Sequence, residues 1–397
     1  MVNWFVEAEK MSDFLVDTRR EIHQNPELGF QEYQTAQKVS ALLKLFGFEV
    51  QEEVAVTGVV GLLKTGKPGP CILVRFDMDA LPIQEETGAI YESKNAGKMH
   101  ACGHDGHVAV GLAVAKLIAQ YKEELFGTIK IIFQPAEEGL GGAQKMIEAG
   151  VLETPHCDLA VAFHLWNEKP VGWFGVTSGP VMAGSETFSI VVKGRGGHGA
   201  LPQETRDPVI AAAHLVTMLQ TIVSRNVSPL DSAVISTTCI HAGKAHNVIP
   251  DKAEIMGTIR SYRPEVRLLL LERMRTMIET GAAALGCQAE IEFKEITPPV
   301  VNDAWVIGKI LNHTKNINPG WNIDSGSRSM ASEDMAYILE KIPGAYLFVG
   351  SANPNKGLVY SHHHPKFDID EAALVNACGL MAASIELLGK SVRSQSA

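Results

Sequence analysis

The sequence predicts an α/β fold: a mixed, largely parallel sheet with helices on both faces, interrupted by an inserted ferredoxin-like α+β domain. Three observations predict it. Up to Phe163, short apolar runs bounded by Gly and Pro alternate with helix-period segments. After Gly184 the order changes to β-α-β-β-α-β, and beyond Thr297-Pro298-Pro299 the first texture returns.

Apolar residues recur at helical spacing over 31–46, and Gly47 is placed to stop that helix. The runs 59–63, 71–76, 128–133 and 159–163 read as buried strands. Between them 108–121 is apolar nearly all round, which suits a helix sandwiched between layers, with Asp105 as a candidate cap. This alternation implies parallel strands with right-handed crossovers, and such sheets bind ligands at the strands' carboxyl ends. The middle segment reads as a strand at 188–192, a helix at 208–223, strands at 233–242 and 253–259, a helix at 265–284 and a strand at 288–293. The last segment reads as a helix at 304–314, a strand at 345–350 and a helix at 371–388. The expected domains are therefore 1–183 with 296–397, and an insertion at 184–295 hinged near Ala183 and Glu295.

Composition narrows the function classes. A formal charge of −10 over 397 residues, without a Lys/Arg run, argues against nucleic acid as a partner. The first residues mix acids and bases with apolar side chains, unlike a signal peptide, and no apolar run reaches the ~18 residues that span a bilayer. The six cysteines are far apart and form no CxxC pair, so the expected compartment is the reducing cytoplasm.

Metal-capable side chains cluster where the predicted strands end. Asp77 and Asp79 follow the strand 71–76 in "RFDMDALP"; Glu137 and Glu138 follow 128–133 in "QPAEEG"; His164 ends 159–163. "MHACGHDGH", residues 99–107, precedes the buried helix. A glutamate pair alone is most often a solvated loop, and an aspartate there can be a cap or a turn residue. Coincidence at one sheet edge shifts the balance. Cys102 and His104 reach one ion only from an irregular loop, which Gly103 permits. Thiolate, imidazole and carboxylate together suit Zn²⁺, Mn²⁺ or Co²⁺ better than Ca²⁺ or Mg²⁺. Adjacent glutamates in extended chain point opposite ways, so one can ligate while the other acts as a base. His100 and His107 read as orienting the loop. "YSHHHPKFD" adds His362, His363 and His364; "GRGGHGALP" sets His198 in a glycine-rich loop; "HNVIP" and "GTIRSYRP" add Asn247 and Arg260, which a buried ion pair or strand cap explains equally well.

With these stretches the chain resembles the aminoacylase and carboxypeptidase family of two-metal peptidases, in the branch of hippurate hydrolases, indoleacetyl-amino-acid hydrolases and N-acyl-amino-acid amidohydrolases. The matching segments run nearly end to end: "RREIHQNPELGFQE", "DMDALPIQEETG", "MHACGHDGHVA", "FQPAEEGLGGA", "GGHGALP", "NVIPDKAEIMGTIR", "SEDMAYI" and "HHPKFDIDE". Phe76 stands where alanine is commoner, a departure expected to affect packing. The resemblance implies a two-metal exopeptidase-like fold whose inserted domain is a lid. It implies two divalent ions (Zn, Mn, Co or Ni) held by Cys102, His104, Glu138, His164 and His363, the last chosen over His362 because the ligand stands two residues before the proline. It further implies Glu137 as general base, His198 as the donor that polarises the scissile carbonyl across a homodimer formed through the lid, Asn247 and Arg260 in substrate binding, and Asp77 supporting the ligands. The implied reaction is hydrolysis of N-acyl amino acids or small peptides to a carboxylic acid and a free amino acid. Two rival readings are a cysteine hydrolase with Cys102 as nucleophile and a noncatalytic metal-storage or peptide-binding protein.

Overall fold

A computed structural model of the chain describes residues 2–317 and 321–391. It divides into two compact units, one of Met1–Val181, Val301–Arg328 and Asp334–Ala397, the other of Met182–Val300 and Ser329–Glu333. Residues 329–333, left with the larger domain in the sequence reading, fall in the second unit, as do 182–183 and 296–300.

The first unit is built on an eight-stranded sheet, in the order Glu49–Val54, Gly58–Lys64, Thr128–Gln134, Cys71–Asp77, Leu159–Pro170, Gly344–Ala352, Trp173–Gly175 and Asn322–Asp324. Its centre is parallel: Thr128–Gln134, Cys71–Asp77, Leu159–Pro170 and Gly344–Ala352 run the same way, while Gly58–Lys64 is antiparallel to its neighbours. Burial follows from that position. Cys71–Asp77 and Gly344–Ala352 are buried along their whole length, as interior parallel strands are, whereas the edge strand Glu49–Val54 buries only Val54.

The helix His104–Gln120 starts four residues before the predicted 108, because its first turn carries the polar residues His104, Asp105 and His107. Asp105 does not cap it. Gly103, at φ +89°, holds the N-cap position, and the Asp105 carboxylate instead accepts from Arg19 Nε (2.7 Å) and pairs with His23 Nδ1 (2.7 Å). The helices Trp4–Glu9 and Ser12–His23 were not apparent in the sequence; the latter buries Thr18, Arg19 and His23 beside Leu15 and Ile22, so polar residues on its inner face mask the period. Phe76 packs on Phe133 and Phe163, and Gly111 makes room for it, since a Cβ there would lie 2.7 Å from the Phe76 ring. Among the described residues one helix, Ala372–Gly389, is long and apolar enough to cross a membrane, and it lies largely buried in the core.

The second unit has its own core under a four-stranded antiparallel sheet, in the order Ala233–Ala242, Lys252–Ser261, Gly184–Lys193, Gln288–Thr297. With the helices Pro208–Asn226 and Pro264–Ala284 this is the split β-α-β-β-α-β arrangement. Val266, Leu270, Met274, Ile278 and Ala282 recur every four residues and form the buried stripe of the second helix. Asp207 caps the first helix by accepting from Val209 N and Ile210 N, with Pro208 at the first helical position.

Candidate metal centre

The parallel strands of the first unit end at one rim, and the metal-capable residues gather there. Asp77 closes its strand level with Gln134, and the turn after Gln134 carries Glu137 and Glu138. His164 lies inside the longer Leu159–Pro170 strand, and Cys102 and His104 enter from the N-terminus of the buried helix. Cys102, His104 and His164 have ligand atoms within 4.8 Å of one another, and so do Cys102, Glu138 and His363. A further such group joins His104, Glu137 and Glu138. Cys102 thus belongs to two donor triads, with Glu137 beside them.

Hydrogen bonds behind the cluster fix which nitrogen each ring presents. His164 Nδ1 donates to Leu165 O (2.6 Å), leaving Nε2 facing Cys102 Sγ at 3.5 Å. His104 Nδ1 donates to Asp79 O (2.9 Å) and lies 3.2 Å from Asp79 Oδ1, leaving Nε2 on the cluster side. Asp79 Oδ2 also accepts from Glu138 N (3.0 Å), so one side chain orients two candidate ligands. From the sequence alone Asp79 reads as a cap or turn residue. Asp77 supports from beneath, between Arg75 (2.5 Å) and His107 Nδ1 (2.5 Å), and 3.8 Å from His104 Nε2. His107 is saturated, because its Nε2 accepts from Leu165 N (3.0 Å). His100 is buried with neither ring nitrogen bonded, so it does not orient the loop through hydrogen bonds.

The donor set fits a cation by what it lacks. His104 Nε2 and Glu138 Oε1 are buried without a hydrogen-bond partner, and His363 Nε2 lies 3.2 Å from Glu138 Oε1 without hydrogen-bond alignment. Each such orphan costs ~1–3 kcal/mol, and one divalent ion satisfies both. Burial lowers the affinity of His104 for a proton, yet Asp77 and Asp79 outweigh it and raise its pKa to about 10. The carboxylates around this ring therefore favour positive charge at it. Burial, reinforced by Glu138 and Glu137, pushes the Cys102 thiol well above its ordinary value, while burial and neighbouring imidazoles hold His164 well below. A thiolate–imidazolium pair between Cys102 and His164 is disfavoured on both sides.

The three late histidines divide by position. His362 Nε2 donates to Leu165 O (2.9 Å), whereas His363, with φ +66°, turns its ring toward Cys102 and Glu138. In the second unit, His198 and Asn247 come together: Gly197 and His198 pair with Val248 and Ile249, and Asn247 O accepts from Gly199 N (2.8 Å). His198 is exposed, its Nδ1 accepting from Ala200 N (3.0 Å) so that Nε2 carries the proton. Arg260 is half-buried on the Lys252–Ser261 strand and donates to Thr258 Oγ1 and Ile259 O. It has no ion pair with a carboxylate among the described residues.

Comparison with known proteins adds three facts. The model of peptidase family M20/M25/M40 matches residues 73–387. Thermostable carboxypeptidase 2 of Saccharolobus solfataricus is 40% identical over 372 residues, covering 93% of each chain, and the N-acetylcysteine deacetylase of Bacillus subtilis is 41% identical over 366 residues, covering 91% of this chain and 93% of its own. The crystal structure of the Bacillus subtilis YXEP protein, a dinuclear metal-binding peptidase of the M20 family, superposes with a TM-score of 0.85 at 36% identity, covering 97% of this chain and 99% of that one.

Proposed function

The chain belongs to peptidase family M20/M25/M40, and on that premise we propose that it hydrolyses the amide bond of N-acyl amino acids or small peptides, giving a carboxylic acid and a free amino acid. One observation carries the reading: a thiol shared by two donor triads, with the Glu137 carboxylate grouped beside them with His104 and Glu138. Cys102, His104, Glu138, His164 and His363 would hold two divalent ions, of Zn, Mn, Co or Ni. When bound, such a pair supplies Lewis acidity that makes water nucleophilic near neutral pH.

The remaining chemistry belongs to the chain. The Glu137 carboxylate takes the proton of the attacking water and delivers it to the leaving amine nitrogen. His198 donates from Nε2 to the oxygen on which negative charge develops, contributed across a homodimer formed through the second unit, the segment 184–295 acting as a lid. Asn247, in the turn just before Val248 and close to His198, and the half-buried Arg260 bind the substrate's polar end. Asp77 and Asp79 hold the ligands without touching substrate. Six free thiols agree with a cytoplasmic setting.

The test is a panel of N-acyl amino acids and dipeptides assayed for amine release after reconstitution with Mn²⁺, Zn²⁺, Co²⁺ or Ni²⁺, with and without a chelator. The expected result is release that depends on metal and is strongest on a subset of N-acyl amino acids. Metal binding without turnover on any member would favour a storage protein. Turnover that survives complete chelation but not a thiol blocker would favour the cysteine hydrolase.

A further inference from the structure

The segment "NPELGFQE" carries no ligand or base, yet it touches the loops that carry them. Glu27 O accepts from Ala80 N (2.8 Å), and Leu28 bridges to Ala80, the residue after Asp79. Gly29 lies so close to the Glu137 loop that a Cβ there would sit 2.8 Å from Leu140 and 3.0 Å from the Ala136 Cβ. Glu32 is fully buried; its Oε1 accepts from Ala136 N (2.9 Å) and its Oε2 from Thr57 Oγ1 (2.6 Å).

Backbone strain converges on the same carboxylate. Ala136, immediately before Glu137, is in the left-handed region at φ +56°. Glu53, Ala55 and Val56, just before Thr57, lie at +58°, +53° and +80°, and Phe30 at +61°. A β-branched residue such as Val56 is a marked outlier there. Such conformations persist only where surrounding contacts over-determine them, and they concentrate at functional sites.

We propose that Glu32 is the positioning residue of the catalytic loop: by holding the Ala136 amide it keeps that residue left-handed, which sets the directions in which Glu137 and Glu138 leave the chain. Without that bond Ala136 relaxes toward negative φ, the following peptides rotate, and the two carboxylates lose their aim. Thr57 fixes the second oxygen of Glu32 and so its orientation. The inference rests on the roles given above to Glu137 and Glu138.

Three variants, Glu32→Ala, Glu32→Gln and Thr57→Val, test it on the full chain, with melting temperature and metal content measured throughout. In Glu32→Ala, kcat per folded, metal-saturated molecule is expected to fall ~30- to 100-fold with KM little changed, as misplacement of a reacting group does. Glu32→Gln should stay within about threefold of wild type, because its amide oxygen accepts from Ala136 N–H and its amide donates to the Thr57 hydroxyl. Hydrogen exchange in the metal-free protein gives an independent readout: residues 135–139 should be protected in wild type and Glu32→Gln and exchange fast in Glu32→Ala. Should Glu32→Ala fail to fold, Thr57→Val should show a smaller loss of both kcat and protection, about three- to tenfold. Wild-type kcat, or wild-type protection of 135–139, in Glu32→Ala overturns the proposal, as does an unchanged Thr57→Val where only that variant folds. The exchange result does not depend on turnover, so it separates failure of this proposal from failure of the roles assigned to Glu137 and Glu138.

Discussion

The larger unit crowds its reactive side chains together, with ligand atoms of Cys102, His104 and His164 within 4.8 Å and with His104 Nε2 and Glu138 Oε1 buried without partners. The smaller unit leaves His198 and Asn247 exposed on neighbouring segments joined by a short strand pairing and the Gly199 N–Asn247 O bond. Gathered donors among which His104 Nε2 and Glu138 Oε1 have no partner suit a cation, whereas the exposed His198 N–H is the proposed donor to a substrate oxygen. The two kinds of site should therefore fail differently: damage to the first should cost metal and chemistry together, damage to the second turnover alone.

Replacing Cys102 by Ala should have the largest effect. Both triads lose their common member, so metal content should drop below two ions per chain and turnover by ~10³-fold or more; elemental analysis with amine release checks both. Two tightly held ions in this variant would break the comparison. His198→Ala should lower kcat by ~10²- to 10³-fold, the usual loss for one oxyanion donor, with metal content unchanged. Metal loss there would place His198 among the ligands. Asn247→Ala should lower kcat/KM about tenfold, the worth of one hydrogen bond to substrate.

The smallest effect sharpens the comparison from inside the larger unit, where not every buried charge is functional. Burial lowers the His23 pKa, but Asp105 outweighs it and raises the value to about 9. A folded pKa above the unfolded one gives stability that is full below the unfolded value and lost as pH rises through the folded one. Denaturant unfolding should thus show a decline of at most about 3 kcal/mol between roughly pH 6.5 and 9.5, absent in His23→Gln. A decline of equal size in His23→Gln would remove His23 as its source.

Periodicity and punctuation made the α/β alternation and the split unit of the smaller domain legible, because apolar runs ending at Gly or Pro are local signals. The helix Ser12–His23 was hidden because Arg19 and His23 point inward to Asp105, a pairing that depends on distant residues. The same limit applied at the rim. Cys102, His104, the Glu137-Glu138 pair and His164 could be nominated from residue type and strand ends, whereas Glu138 as the ligand of its pair and His363 among the late histidines came from the family resemblance. Asp79 was left as a cap or turn because its role lies in hydrogen bonds to His104 and to the Glu138 amide, which have no local signature. Glu32 was illegible for the same reason, its partners being Thr57 and Ala136.

The central claim is that Glu137 moves the proton while its neighbours hold the ions, and Glu137→Gln measured for metal content and amine release in the same preparation tests it most directly. The expected result is two divalent ions per chain and hydrolysis lowered by ~10²- to 10⁴-fold, the range of a lost general base. Hydrolysis within threefold of wild type at the same metal content would contradict it.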